Sequence, residues 1–168
     1  MTVERTDPPG QADERTSLAS FLDYHRATLA WKCAGLTAAQ LRERPVPPST
    51  MSLLGLVRHL ADVERGWFQR TFAGEEAPRI YYSDDDPDGD FDNVDEADAD
   101  EAFATWRAEC ERSRQILAAA PSLDATATTR HGEIVSLRWI MLHMIEEYAR
   151  HNGHADLFRE RLDGATGE

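Results

Sequence analysis

Apolar residues recur at helical spacing in four stretches of the chain, and the last stretch carries ionisable residues on the face that its own period turns inward. From Leu137 to Glu160, the residues Leu137, Ile140, Met141, Met144, Ile145, Tyr148, Ala155 and Phe158 form one stripe. Glu147 and His151 lie on it too: at about 100° per residue, His151 falls about 30° from its centre and Glu147 about 70°, while His143 and His154 fall at about 90–110°. A buried carboxylate is costly unless paired or bound to a metal, so Glu147 needs a partner. Spaced i,i+4, Glu147 and His151 stand one turn apart on the same face, where both can reach one ion. They are half of a metal site, or else a Glu–His ion pair in which His151 is a satisfied core histidine. This helix alone does not choose between the two.

The other three stretches predict long helices as well. The first, capped by Thr16 or Ser17, keeps its period through Leu18, Phe21, Leu22, His25, Leu29, Cys33 and Leu36. His25 lies on its inward stripe and is a reserve candidate for the site, although a hydrogen-bonded core or rim histidine is the preferred reading. Gly35-Leu36-Thr37 ends that helix, Thr37 to Gln40 opens a short one with a capping-box pattern, and Pro45, Pro47 and Pro48 stop it. The second long helix runs from about Met51 to about Phe72, with Ser49, Thr50 or Ser52 as cap and Gly74 as terminator. Its stripe is Leu53, Leu56, Val57, Leu60, Val63 and Trp67, and His59 sits at one edge, about 100° from the centre. Asp62, three residues on, is placed to accept the second ring N–H of His59. Glu64 reads as part of a solvated face. The third long helix spans about Asp98 to Ala119, and the fourth starts at a Ser136 cap and ends near Leu162.

Between these helices lie a polar loop from Ser122 to Val135 and a long acidic connection from Ala73 to Ala99. In the polar loop Arg130 or His131 would face a ligand only if the loop folds over the site, and a solvated connection is preferred. Within the acidic connection Asp84, Asp86, Asp88, Gly89, Asp90, Phe91 and Asp95 match much of a calcium-loop spacing, but Asp95 stands where a bidentate Glu is expected and Pro87 intrudes. An acidic surface loop is the preferred reading. Four amphipathic helices, with no convincing strand pair apart from the short Ile80 region, predict an all-α four-helix bundle with long loops. Residues 1–14 are polar, contain Pro8-Pro9-Gly10 and read as a disordered leader, leaving residues 15–168 as one bundle domain.

Composition narrows the partners. A formal net charge of −13, with eleven acids and no base from Asp84 to Glu101, repels phosphate backbones and anionic lipid, so neither nucleic acid nor membrane is expected. Cys33 and Cys110 sit singly in helical patterns and read as buried free thiols. No apolar run of about 18 residues and no signal-peptide pattern occur, which predicts a cytoplasmic protein.

Three motifs carry a resemblance. Pro48-Ser49-x-x-Ser52-Leu53-Leu54-Gly55-Leu56-Val57-x-His59-Leu60, then Glu64-x-x-Trp67-Phe68, and finally His143-x-x-x-Glu147-x-x-x-His151-x-Gly153-His154-x-Asp156 resemble the DinB-like superfamily, in a branch akin to mycothiol-dependent enzymes such as the maleylpyruvate isomerases. The resemblance implies an up-down-down-up bundle holding a divalent metal with one ligand from the second long helix and two from the fourth. Many members use three histidines; the isomerases use His, Glu and His, which implies His59, Glu147 and His151 here. Those isomerases carry a further C-terminal domain beyond the span of this chain, so the metal site carries over more readily than their particular reaction.

A His₂Glu set with an open position is a catalytic arrangement, for zinc above all, with nickel, iron or manganese as other occupants. The expected function is a metal-dependent thiol S-transferase, with mycothiol as the thiol and a small electrophile as its acceptor. His154 and Asp156 are placed to orient His151 or contact the thiol, and Arg150, Asp156 or Arg159 to hold polar or anionic groups. An alternative is a hydrolase or amidase that uses Asp62, Glu64 or His154 as base. Another is a non-catalytic metal-binding bundle, and a homodimer is a fair default for either.

Overall fold

Each long helix begins on a polar side chain that takes up its first free N–H groups, and these caps set the element boundaries. The computed structural model describes residues 4–167; Met1 to Val3 and Glu168, which belong to the expected leader and domain end, lie outside the described residues. Helix α1 (Glu14–Cys33) is capped by Asp13, which accepts from the Thr16 backbone N–H at 3.0 Å and the Thr16 hydroxyl at 2.6 Å, so Thr16 is a donor to the cap and not the cap itself. Helix α2 (Ala38–Arg42) carries the Thr37/Gln40 capping box. Helix α3 (Leu53–Glu64) starts on Ser52, whose hydroxyl accepts from Gly55 at 3.0 Å. It continues as a π-helical segment (Arg65–Phe72), and after a short α4 (Gly89–Asp92) comes α5 (Ala99–Ala119) on an Asp98 cap. Helix α6 (Leu137–Asp163) starts on Ser136 and ends at Gly164 with φ 76°, a left-handed conformation that glycine adopts without steric cost.

Cross-helix contacts give the helix directions. Glu14 meets Arg138, His25 meets Asn152 and Lys32 meets Asp156, so α1 and α6 run parallel. His59 meets His151, Glu64 meets Tyr148 and Trp67 meets Trp139, so α3 and α6 run antiparallel. Asp23 pairs with Arg114 and Arg15 reaches the carbonyls of Leu117 and Ala120, so α1 and α5 are antiparallel. The result is the up-down-down-up bundle, with Leu22, Leu29, Leu56, Leu60, Phe68, Ile140, Met144 and Tyr148 in its core. No helix among the described residues is long and apolar enough to cross a membrane.

Two local expectations change. The short strands are not at Ile80 but in the polar loop, where β1 (Thr126–Thr128) pairs antiparallel with β2 (Ile134–Ser136). The N–H groups of Ile80 and Tyr81 instead go to the Asp62 carboxylate, each at 2.9 Å, which leaves that stretch no donors for a ladder. Residues 4–13 have no regular structure, and Arg5 stacks 4.4 Å from the Trp31 ring on α1. Glu64 is not on a solvated face. It is fully buried, receives Arg26 through two bonds of 2.7 Å, and accepts from the Tyr148 hydroxyl at 2.8 Å. Trp106 donates in turn to that hydroxyl, so one polar chain ties α1, α3, α5 and α6 together.

Candidate metal centre

His59 leaves α3 toward α6, and Glu147 and His151 leave α6 toward α3. Among the described residues these three offer donor atoms that lie within 4.8 Å of one another. His151 is buried, while His59 and Glu147 are half-buried, and His59 lines the adjoining cavity. The His151 Nε2 lies 3.3 Å from a Glu147 oxygen, and that contact, with further help from His59 and His143, holds the Glu147 carboxyl below its ordinary range against the opposing effect of burial. A deprotonated carboxylate and two imidazoles are the hard-to-borderline donor set that suits a divalent ion. Tetrahedral ligands on zinc stand about 3.3 Å apart, so small side-chain rotations bring these three donors around one ion. The residues fit the group.

The surroundings orient the donors. His59 Nδ1 is 2.8 Å from Asp90 Oδ2, which leaves its Nε2 as the free donor, and the His59 ring stacks on Phe91 at 4.9 Å. Asp90 and Phe91 come from the stretch with calcium-loop spacing. Its central glycine is there for a different reason: a Cβ on Gly89 would lie 2.6 Å from an Asp86 oxygen and 2.7 Å from the Tyr81 carbonyl. Gly55 on α3 admits the loop in the same way, since a Cβ there would come within 3.0 Å of the Phe91 ring. Arg58 then pins the turn by donating to the Gly89 carbonyl at 2.9 Å. The loop's other acids are dispersed: Asp84 pairs with Arg79, Asp86 accepts from Asn93, and Asp95 pairs with Arg44. Among the described residues they do not converge on a cation site.

Several candidates lie elsewhere than expected. Asp62 has both oxygens committed to the Ile80 and Tyr81 N–H groups, so Asp90 and not Asp62 holds the His59 ring. Glu64 is committed to Arg26 and Tyr148. His154 Nδ1 stands 3.3 Å from His151 Nδ1, and burial followed by the neighbouring His151 holds its pKa down. His143 packs between Trp67 and Trp139, with its Nε2 3.9 Å from Glu147. His25 is outside the group, its carbonyl accepting from Asn152 at 3.0 Å. Asp156 pairs with Lys32, Arg159 donates to the Lys32 and Ala34 carbonyls at the end of α1, and Arg150 is exposed. None of these last three lines the cavity beside His59.

That cavity, of about 800 Å³, runs from His59 along Val63 of α3 and Trp67 and Arg70 of the π segment, and Thr129, Arg130 and His131 of the β hairpin form its facing wall. The polar loop therefore folds over the site. The Asp90 contact was not identified from the sequence, and the loop over the site was only the less preferred of two readings, because both signals are tertiary: Asp90 lies 31 residues from His59.

Among solved structures, the chain is similar to one described as the crystal structure of the conserved protein of locus from Enterococcus faecalis. The two are 16% identical with a TM-score of 0.65, over 92% of this chain and 100% of that one, which shows a shared fold. No curated protein matches the chain. A family model described as mycothiol-S-transferase matches residues 17–164, which span the bundle from α1 through α6 and contain His59, Glu147 and His151. The chain belongs to the mycothiol S-transferase family, a DinB-like family.

Proposed function

We propose that the protein transfers a low-molecular-weight thiol, mycothiol, to a small electrophile, and that His59, Glu147 and His151 hold a divalent ion, zinc foremost. The observation that carries this reading is the convergence of a His₂Glu donor set whose His59 lines an open cavity, in a chain of this family. When bound, the ion supplies Lewis acidity that favours thiolate over thiol near neutral pH.

The chain's own residues do the remainder. Asp90 fixes the tautomer of His59 by engaging Nδ1, and His154 engages Nδ1 of His151, so each histidine keeps Nε2 for the centre. Trp67 and Phe91 give the cavity apolar walls that limit water around the reacting sulphur. The thiol gives its proton to water, sulphur donates a lone pair to the electrophilic carbon, and a C–S bond forms as the displaced pair either leaves with its group or, in an addition, takes up a proton from water at the adjacent carbon. The chain's own thiols are unsuited as nucleophiles: burial pushes Cys33 up to about 12 and raises Cys110 further. The hydrolase alternative is less supported, because Asp62 and Glu64 both have their carboxylates engaged within the fold.

Cobalt-substituted protein tests the reading. Mycothiol is expected to change its visible spectrum, and loaded protein is expected to consume mycothiol in the presence of an electrophile at a rate that chelation abolishes. An unchanged spectrum together with metal-independent thiol loss would overturn it.

A further inference from the structure

The cavity beside His59 contains a cation, Arg70, that makes no ion pair among the described residues, although the Asp62 carboxylate lies near enough to feel its charge. Arg70 projects from the π segment, one turn beyond Trp67, and its guanidinium lies over Gly66, where an added Cβ would come within 2.8 Å of Arg70 Nη2. Its hydrogen bond is a long one of 3.4 Å to the Ala77 carbonyl, and no carboxylate stands within ion-pair distance among the described residues. Elsewhere in this acid-rich chain, Arg26, Arg44, Arg65, Arg79, Arg138 and Arg159 each meet an acid. The acids nearest Arg70 in the cavity are already engaged: Asp62 by two backbone N–H groups and Asp90 by His59. At the rim, Arg130 on the hairpin contacts His131 at 3.0 Å and likewise pairs with no carboxylate, with Asp88 and Glu133 exposed nearby on the same rim.

We infer that Arg70, with Arg130 at the rim, forms an anion subsite, and that the acceptor electrophile carries a carboxylate that docks there. The inference rests on the thiol-transfer reading for the role of the bound molecule, though not for the subsite itself. Mycothiol has its cysteine amine acetylated and its cysteine carboxyl in an amide link, so apart from sulphur it offers no anion to a guanidinium; the charge complement must come from the second substrate. A guanidinium presents a planar fork of donors that matches a carboxylate, and the half-enclosed position on the π segment strengthens that bond relative to one in bulk water. The widened π turn over Gly66 provides the space in which the fork sits.

The test pairs an α,β-unsaturated carboxylic acid with its methyl ester, each rate corrected for its uncatalysed reaction with mycothiol. In Arg70→Gln the acid's KM is expected to rise about 10- to 100-fold, in keeping with loss of a hydrogen bond to a charged group, while the ester's KM and kcat stay unchanged. Arg70→Lys is expected to fall between, and Arg130→Gln to give a smaller, salt-sensitive loss. Equal effects on acid and ester would overturn the subsite. Calorimetry separates this failure from failure of the transfer reading: even if neither electrophile reacts, succinate is expected to bind the wild-type protein in preference to succinamide, to lose that preference in the folded Arg70→Gln protein and to keep part of it in Arg70→Lys. Succinate binding that is unchanged in both variants refutes the proposal.

Discussion

His59 shows how far a single residue could be read. The period of α3 placed it at the edge of the apolar stripe, and the structure turns it across to His151, with ring centroids 4.9 Å apart. Its partner was misassigned, because sequence spacing favours Asp62 at i+3 whereas the Asp62 carboxylate is drawn to the free N–H groups of Ile80 and Tyr81. Asp90 takes its place, and the orientation it imposes has a measurable consequence. Asp90→Asn keeps the shape of the side chain but weakens its hold on His59 Nδ1, and the affinity for zinc is expected to drop about 10- to 100-fold in competition with a chromophoric chelator. Asp62→Asn is expected to alter that affinity far less and to act mainly on stability. Equal losses in the two variants would return the orienting role to both acids.

Among the elements, the buried chain Arg26–Glu64–Tyr148–Trp106 fastens the four long helices at one level of the bundle. Burial alone would push the Glu64 carboxyl up, but the Arg26 guanidinium outweighs it and holds the group below its ordinary 4.5. The folded protein thus favours the ionised form. This contribution is full above 4.5 and is lost as the pH falls through the lower value of the folded state. Glu64→Gln takes away the buried counter-charge of Arg26, leaving it only the half-exposed Asp23 at 2.9 Å, and is expected to cost about 3 kcal/mol in urea unfolding at neutral pH. The gap between wild type and Glu64→Gln should narrow as the pH is taken below 4.5, and the double variant Arg26→Met/Glu64→Leu should recover most of the loss. A gap that widens in acid would contradict the assigned sign. The sequence period did not mark this pair as buried, since Glu64 and Arg26 are polar and only the facing helices supply the reason to enclose them.

At the scale of the whole molecule, the proposed site joins α3 to α6, and a divalent ion held there would bind only the folded chain. At 100 to 1,000 times its dissociation constant such a ligand adds about 2.7–4.1 kcal/mol, so chelation is expected to lower the midpoint of thermal unfolding by about 5–15 °C. His59→Ala should show no chelator-dependent shift, and a shift that survives in that variant would place the ion elsewhere. The fold class, the number of long helices and their approximate limits were legible in the chain, because apolar period, caps and glycine stops act within a few residues. The pairing of Glu147 with His151 was legible for the same reason, since a helix fixes i and i+4 on one face. Contacts between residues far apart in the chain were left to tertiary structure. The Asp90 brace on His59, the burial of Glu64 against Arg26, the hairpin beside the cavity and the placement of the Arg70 guanidinium in it each depend on which distant segment arrives at a given face, and local periodicity carries no information about that. In this protein the sequence by itself determined the helices and the donors each one presents, while packing decided which donors meet and what surrounds them.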